Sequence, residues 1–284
     1  MNVGKLKQKS APYCLFILVF YLAEAIFLPY VVMYLTETGM TTAQASLAYS
    51  GMNIGAIIGG LGLGYCADRT RNPRGTLACA VVLSAGLILL LRLGTGVAFG
   101  AAVLFLFGFL EQPDIDLFDN LLVQNVKNWE KAFSVVHSFG NLGYVLGLLI
   151  AGGMLKAYGY GWLFAAAAVM LVISGISCAG MGSGCGRQEK KNKVPLRALF
   201  RNHMSVAIYL VSFLWGVIET GTLAFATKYY TDLGYTASYA AMMISIAIAG
   251  QVLSYTWLYR NQEKVSQPML CFGGFALLAL RIIS

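Results

Sequence analysis

Apolar stretches of roughly 17 to 25 residues, the length a helix needs to cross a ~30 Å hydrocarbon layer, recur along the chain with short polar breaks. The spans run 13–35, 43–65, 76–93, 98–123, 133–155, 160–182, 205–230 and 236–259, and a last apolar run occupies 268–284. Unpaired backbone N–H and C=O groups are too costly in lipid, so repeated long apolar runs imply α-helices; barrel strands would be nearer ~10 residues with in/out alternation. The pattern therefore predicts an all-α membrane protein with eight transmembrane helices and a partial ninth. It divides the chain into a six-helix bundle over 1–182, a polar segment over 183–204 and an incomplete second bundle over 205–284.

Composition excludes a soluble fold. Hydrophobic residues make up 58% of the chain and charged residues only 11%, against about 25% charged in soluble domains. The first span follows Lys5, Lys7 and Lys9 as a signal peptide would, but it is long, holds Glu24 and Pro29, and lacks a small-residue cleavage site, so it reads as a retained helix. The net charge of +8 reflects topology rather than nucleic-acid binding. With the N-terminus in the cytoplasm, sixteen of the 20 lysines and arginines fall in cytosolic segments, which sets the expected orientation in an inner or plasma membrane. The longest polar segment, 183–203, carries six of these basic residues and reads as a cytosolic linker lying along anionic lipid. The six cysteines show no metal-ligand spacing and serve as small apolar residues, so no cofactor or metal is expected.

The break after span two reads Gly64-Tyr65-Cys66-Ala67-Asp68-Arg69-Thr70-Arg71-Asn72-Pro73-Arg74-Gly75. A glycine, then Asp-Arg four residues on, then basic residues resembles the signature between helices two and three of the major facilitator superfamily. Arg71 stands where that family prefers a second glycine, and Pro73 intrudes. Physically, Gly64 suits close helix approach, and Asp68 can cap the next helix or pair with neighbouring arginines. Six spans, a basic linker and further spans also match the way that superfamily joins two six-helix halves. Within it the chain is most similar to the lactose-permease-like, proton-coupled sugar symporter branch. The likeness rests on Phe20-Tyr21 to Pro29, Pro113-Asp114-Ile115-Asp116, Phe139-Gly140-Asn141-Leu142-Gly143-Tyr144 and Leu280-Arg281-Ile282-Ile283. The resemblance implies a secondary transporter of a small organic solute such as a sugar, coupled to an ion.

Ionisable groups at membrane depth cost about 2.5–3.5 kcal/mol each at a helix centre, so each marks a functional position. Glu24, Glu111, Asp114, Asp116, Asp119, His137, Glu219 and Arg281 qualify. His137, Asn141 and Tyr144 form one polar stripe of the fifth span, with Gly140, Gly143 and Gly147 as a small-residue seam on its other face. Spans four and five read as antiparallel neighbours, which sets Asp116 and His137 at similar depths and lets them pair; alternatively Asp119 and Asp116 sit near the cytosolic headgroups. Trp215 beside Glu219 suits stacking and hydrogen bonding of an organic solute, or else an interface aromatic and a structural pair. In the symporter branch the positions of Asp116 and His137 look like the acidic residue and the arginine that together grip a sugar. The substrate-site candidates are thus Asp116, His137, Asn141, Tyr144, Trp215 and Glu219, and the proton-coupling candidates are Glu24, Asp116, Glu219 and Arg281. Gln251 stands where the branch often carries a glutamate in the proton path.

Gly51, Gly55 and Gly59 give the second span its own small-residue seam. The superfamily plan has about twelve helices, so a second expectation is a C-terminally truncated chain that does not transport alone, or one whose missing helices come from another chain. A membrane-embedded enzyme is the remote alternative, because no His-Glu-x-x-His, Gly-x-Ser-x-Gly or nucleotide-binding loop occurs.

Overall fold

The structure is a computed structural model that describes residues 3–94, 96–183 and 225–261, with single positions at 206, 210 and 216. Trp215, Glu219 and Arg281 lie outside the described residues, as do most of the basic linker and the run 268–284. The described elements are helical: α1 (Val3–Glu37), α2 (Thr42–Thr70), α3 (Pro73–Leu90), α4 (Val97–Asn125), α5 (Trp129–Ser177), a 3₁₀ turn (Cys178–Gly180) and α6 (Ala237–Asn261), with a helical stretch over 225–232 before the last. The first five are long and apolar enough to cross a membrane.

The fifth and sixth spans are two limbs of α5, which turns at Gly159, where φ 73° and ψ 179° are accessible to glycine at little cost. The limbs run in opposite directions. Gly140, Gly143 and Gly147 of the first limb lie against Ile17, Leu18 and Leu22 in step with α1, whereas on the second limb Phe164 meets Phe27 edge-on and the Ser174 hydroxyl donates to the Phe16 carbonyl at 3.2 Å. α1 is thus the central post of the first bundle, with Phe16, Phe20, Phe27 and Tyr30 wholly buried along it.

α2 packs instead on α4, in parallel, through its glycine seam. A Cβ on Gly55 would run into the Phe105 carbonyl, and one on Gly59 into the Phe109 carbonyl; in return, a Cβ on Gly108 of α4 would strike the Met52 carbonyl of α2. Pro113 bears on this contact. Lacking an N–H, it leaves the Phe109 carbonyl without its helical donor, and that carbonyl is the one laid over Gly59. Gly143 and Gly147 meet the Leu18 and Leu22 carbonyls in the same way, so both seams bring backbone onto backbone.

α4 and α5, expected as close neighbours, meet only locally, because α5 packs mainly on α1 and α4 mainly on α2. α6 lies along the first limb of α5, with Ser238 on Gly152 and Ala241, Ile244 and Ile248 around Tyr144 and Leu148. Near the C-terminal end of α1, the Thr231 hydroxyl lies 4.0 Å from the Met33 sulfur, and Phe225 meets Tyr49 of α2 at 6.3 Å between ring centroids.

The seams make a direct stability test. Gly55→Val and Gly143→Val put a side chain where the partner backbone lies, and each should lower apparent stability by about 1–3 kcal/mol. Gly60→Val, facing open space on α2, should leave it unchanged. Thermal unfolding of the three purified variants in one detergent checks this.

Candidate functional site

The signature break behaves as a mechanical corner. Arg71 ends α2 in the left-handed region, at φ 52° and ψ 26°, which is why a glycine would suit that position and why an arginine there carries some strain. The α3 N-terminus is capped by Asn72, whose Oδ1 accepts from the Gly75 N–H at 3.0 Å. Asp68, expected either as the cap or as a partner of the neighbouring arginines, stands too early in the chain to cap α3 and lies on the exposed last turn of α2 beside Arg69, whose guanidinium donates to the Tyr65 hydroxyl at 3.1 Å. Gly64, expected at a close helix contact, faces open space among the described residues. Arg74 ties the corner to the end of α5, donating to the Met181 carbonyl at 3.0 Å and the Ala179 carbonyl at 3.4 Å. Nearby, the Tyr13 hydroxyl accepts from the Gly182 N–H at 3.3 Å.

Deeper in the bundle, α4 presents two polar faces. Glu111 and Asp114 point inward among Phe107, Gly108 and Phe118 and are wholly buried, while Gln112, Asp116 and Asn120 recur at every fourth residue on the open face. Glu24 of α1, half-buried, faces Glu111 and Asp114 across the helix contact. The Gln112 amide donates to one Glu111 carboxyl oxygen at 2.7 Å, but the other Glu111 oxygen and both Asp114 oxygens have no hydrogen-bond partner. Tyr49 of α2 and Tyr144 of α5 both lie close enough to Glu24 and Glu111 to interact with them electrostatically, and Tyr30 lies beside Tyr144 with its buried hydroxyl unpartnered. A cavity of about 510 Å³ opens beside this group, lined by Tyr21 and Glu24 of α1, Ala56 and Ile57 of α2, and Gln112, Pro113, Ile115 and Asp116 of α4.

His137 belongs to a separate pair. Its Nε2 lies 2.9 Å from Asp119 Oδ1, and its ring packs on Phe133 at 4.1 Å. The expected partner was Asp116. One turn of helix decides the matter: Asp119 lies on the side of α4 toward α5, whereas Asp116 points into the cavity. Asn141 and Tyr144, one and two turns further along α5, are buried, with Tyr144 edge-on to Tyr21 at 6.4 Å and the Asn141 amide nitrogen unpartnered. Gln251 is half-buried on α6. Of the candidates drawn from sequence, Glu24 and Asp116 share the cavity, Tyr144 adjoins it, and His137 is held by Asp119. Glu111 and Asp114 stood out in the sequence only as charges at depth; their phenylalanine neighbours one turn away mark an inward face. Tyr30 and Tyr49 gave no signal beyond being tyrosines in apolar spans.

The family description of the Major Facilitator Superfamily matches residues 13–283, nearly the whole chain, and the chain belongs to that superfamily of transporters. Its fold is similar to the solved structure of the nucleoside transporter NupG, at 16% identity and TM-score 0.71 over 88% of this chain and 68% of that one. It is also similar to the D-xylose-proton symporter, at 15% identity and TM-score 0.68 over 90% and 69%. A bacterial homologue of the human drug peptide transporters PepT1 and PepT2 aligns at 16% identity and TM-score 0.51 over 87% and 53%. No curated protein matches the sequence. The chain is a multi-pass membrane protein of a transporter family, not of an enzyme family.

The pairing of His137 can be measured by a double-mutant cycle on apparent stability. His137→Ala with Asp119→Ala should show a coupling energy of about 1–2 kcal/mol, and His137→Ala with Asp116→Ala close to none. Additive behaviour in the first cycle and coupling in the second would restore the pairing expected from sequence.

Proposed function

We propose that this chain carries a small organic solute across an inner or plasma membrane, with its N-terminus cytosolic, and that the movement is coupled to protons through Glu24, Glu111 and Asp114. The observation that carries the reading is the pair of wholly buried, under-bonded carboxyls facing a third at the wall of a solute-sized cavity. Three carboxyl groups gathered in a low-dielectric interior repel one another when ionised, so a proton that enters or leaves one changes the energy of the others. Glu24 borders both the cavity and the buried pair, and solute binding there is felt by the proton-carrying groups. A cavity of this volume lies within the ~300–1,000 Å³ range of small-molecule sites.

The sugar class implied by the lactose-permease-like resemblance draws support from a neighbour described as a D-xylose-proton symporter, and a nucleoside from the other. Because Asp119 lies against the His137 imidazole, the reading places the solute on Asp116 and Glu24 in preference to the acid–imidazole grip expected from Asp116 and His137. The proposed solute contacts are Glu24, Asp116 and Tyr21, with Tyr144 behind them; Trp215 and Glu219 remain candidates from sequence.

Proteoliposomes containing a trapped pH dye test this. Among D-xylose, uridine and tryptamine, at least one should drive a proton movement; Glu111→Gln and Asp114→Asn should each reduce that movement at least tenfold while solute exchange across the same membrane continues. Unchanged proton movement in both variants would remove the buried pair from the coupling.

A further inference from the structure

We propose that the solute carries a positively charged nitrogen, and that Asp116 and Glu24 receive it at the cavity wall. The inference rests on the transport reading and names the substrate class of the same site.

The argument begins with charge balance. At membrane depth the described residues supply Glu24, Glu111, Asp114, Asp116 and Asp119, and only Asp119 has a counterpart, in His137. Every described lysine and arginine lies at a helix end or in a turn: Lys5, Lys7 and Lys9 at the start of α1, Arg69, Arg71 and Arg74 at the α2–α3 corner, Arg92 after α3, Lys127 and Lys131 at the α4–α5 turn, Lys156 near Gly159, Lys228 near the 233–236 turn and Arg260 at the end of α6. The cavity wall therefore carries carboxylates with no facing cation among the described residues. A site that recognises neutral hydroxyls needs donors and acceptors together, whereas excess acceptors are matched by a ligand that brings only donors and positive charge.

Unsatisfied atoms point the same way independently. Glu111 Oε1 and both Asp114 oxygens, wholly buried on α4, have no partner. Buried polar atoms are otherwise satisfied almost everywhere in native folds. Of these, the Glu111 and Asp114 carboxyls interact with Glu24, so a cation received at the wall meets further unpaired acceptors beyond the first.

The shape selects an organic cation rather than a metal ion. Among the described residues no three metal-ligating side chains converge closely enough to hold a metal, because the carboxyls are spread over two helices and two faces of α4. The cavity also has an aromatic and apolar side, from Tyr21, Ile57, Pro113 and Ile115, against which a ring can lie with its ammonium toward Asp116 and Glu24. Proton and solute then compete for the same carboxyls, which makes exchange of one for the other the natural coupling.

Tryptamine and tryptophol share one shape and differ by an ammonium against a hydroxyl. Equilibrium dialysis of the full chain in detergent at neutral pH should show saturable tryptamine binding at least tenfold tighter than tryptophol. Asp116→Asn, on the open face where folding is least at risk, and Glu24→Gln should each remove that preference, whereas Asp232→Asn on the surface should retain it. Equal binding of the two compounds, absence of saturable tryptamine binding, or a preference that survives both cavity variants would overturn the proposal. Proton-coupled movement of D-xylose or uridine without tryptamine binding would sink this inference and leave the transport reading standing. Selective tryptamine binding with no solute moving protons would do the reverse.

Discussion

Backbone contact between helices is the constraint on which the rest of this structure depends. In lipid there is no hydrophobic drive to press one helix on another, and close approach must be earned by packing. Gly55 and Gly59 admit the α4 carbonyls at Phe105 and Phe109, Gly108 admits the Met52 carbonyl of α2, and Gly143 and Gly147 admit α1. With α2 locked on α4 and α5 locked on α1, the inward face of α4 turns toward α1. That is what places Glu111 and Asp114 opposite Glu24.

The same geometry separates two jobs that a list of charged residues would merge. Four successive acidic positions of α4 go to three places: Glu111 and Asp114 inward, Asp116 into the cavity, Asp119 onto His137. A helix advances 100° per residue, so two or three positions are enough to move a carboxyl from the protein interior to the solute path. Neutralising Asp116 and neutralising Asp114 are therefore different experiments, although both remove one charge from one helix.

The helical class, the first four spans and the glycine seams were legible in the sequence because each depends on local pattern: run length, turn residues and small-residue spacing. Span boundaries moved by a few residues, and Gly159 turned out to be the only interruption between the fifth and sixth. Partner choice was less legible. Pairing Asp116 with His137 followed from similar depth, but depth leaves the helix rotation open, and rotation is set by the α2 and α1 seams rather than by anything between α4 and α5. Asp68 as a cap failed for a local reason, since Asn72 occupies the position before Pro73 from which a side chain reaches the Gly75 N–H. The closeness of Tyr49 and Tyr144 to Glu24 and Glu111 had no signature at all, because nothing in a single apolar span shows which tyrosine faces a carboxylate on another helix.

The central claim is that Glu24, Glu111 and Asp114 act as one interacting group. Infrared difference spectroscopy of the carboxyl bands across a pH change, in the wild-type chain and in Glu111→Gln, measures this directly. The expected result is that removing Glu111 shifts the bands and the titration of the remaining carboxyls as well as deleting its own. Loss of a single band, with every other carboxyl titrating as before, would contradict the account.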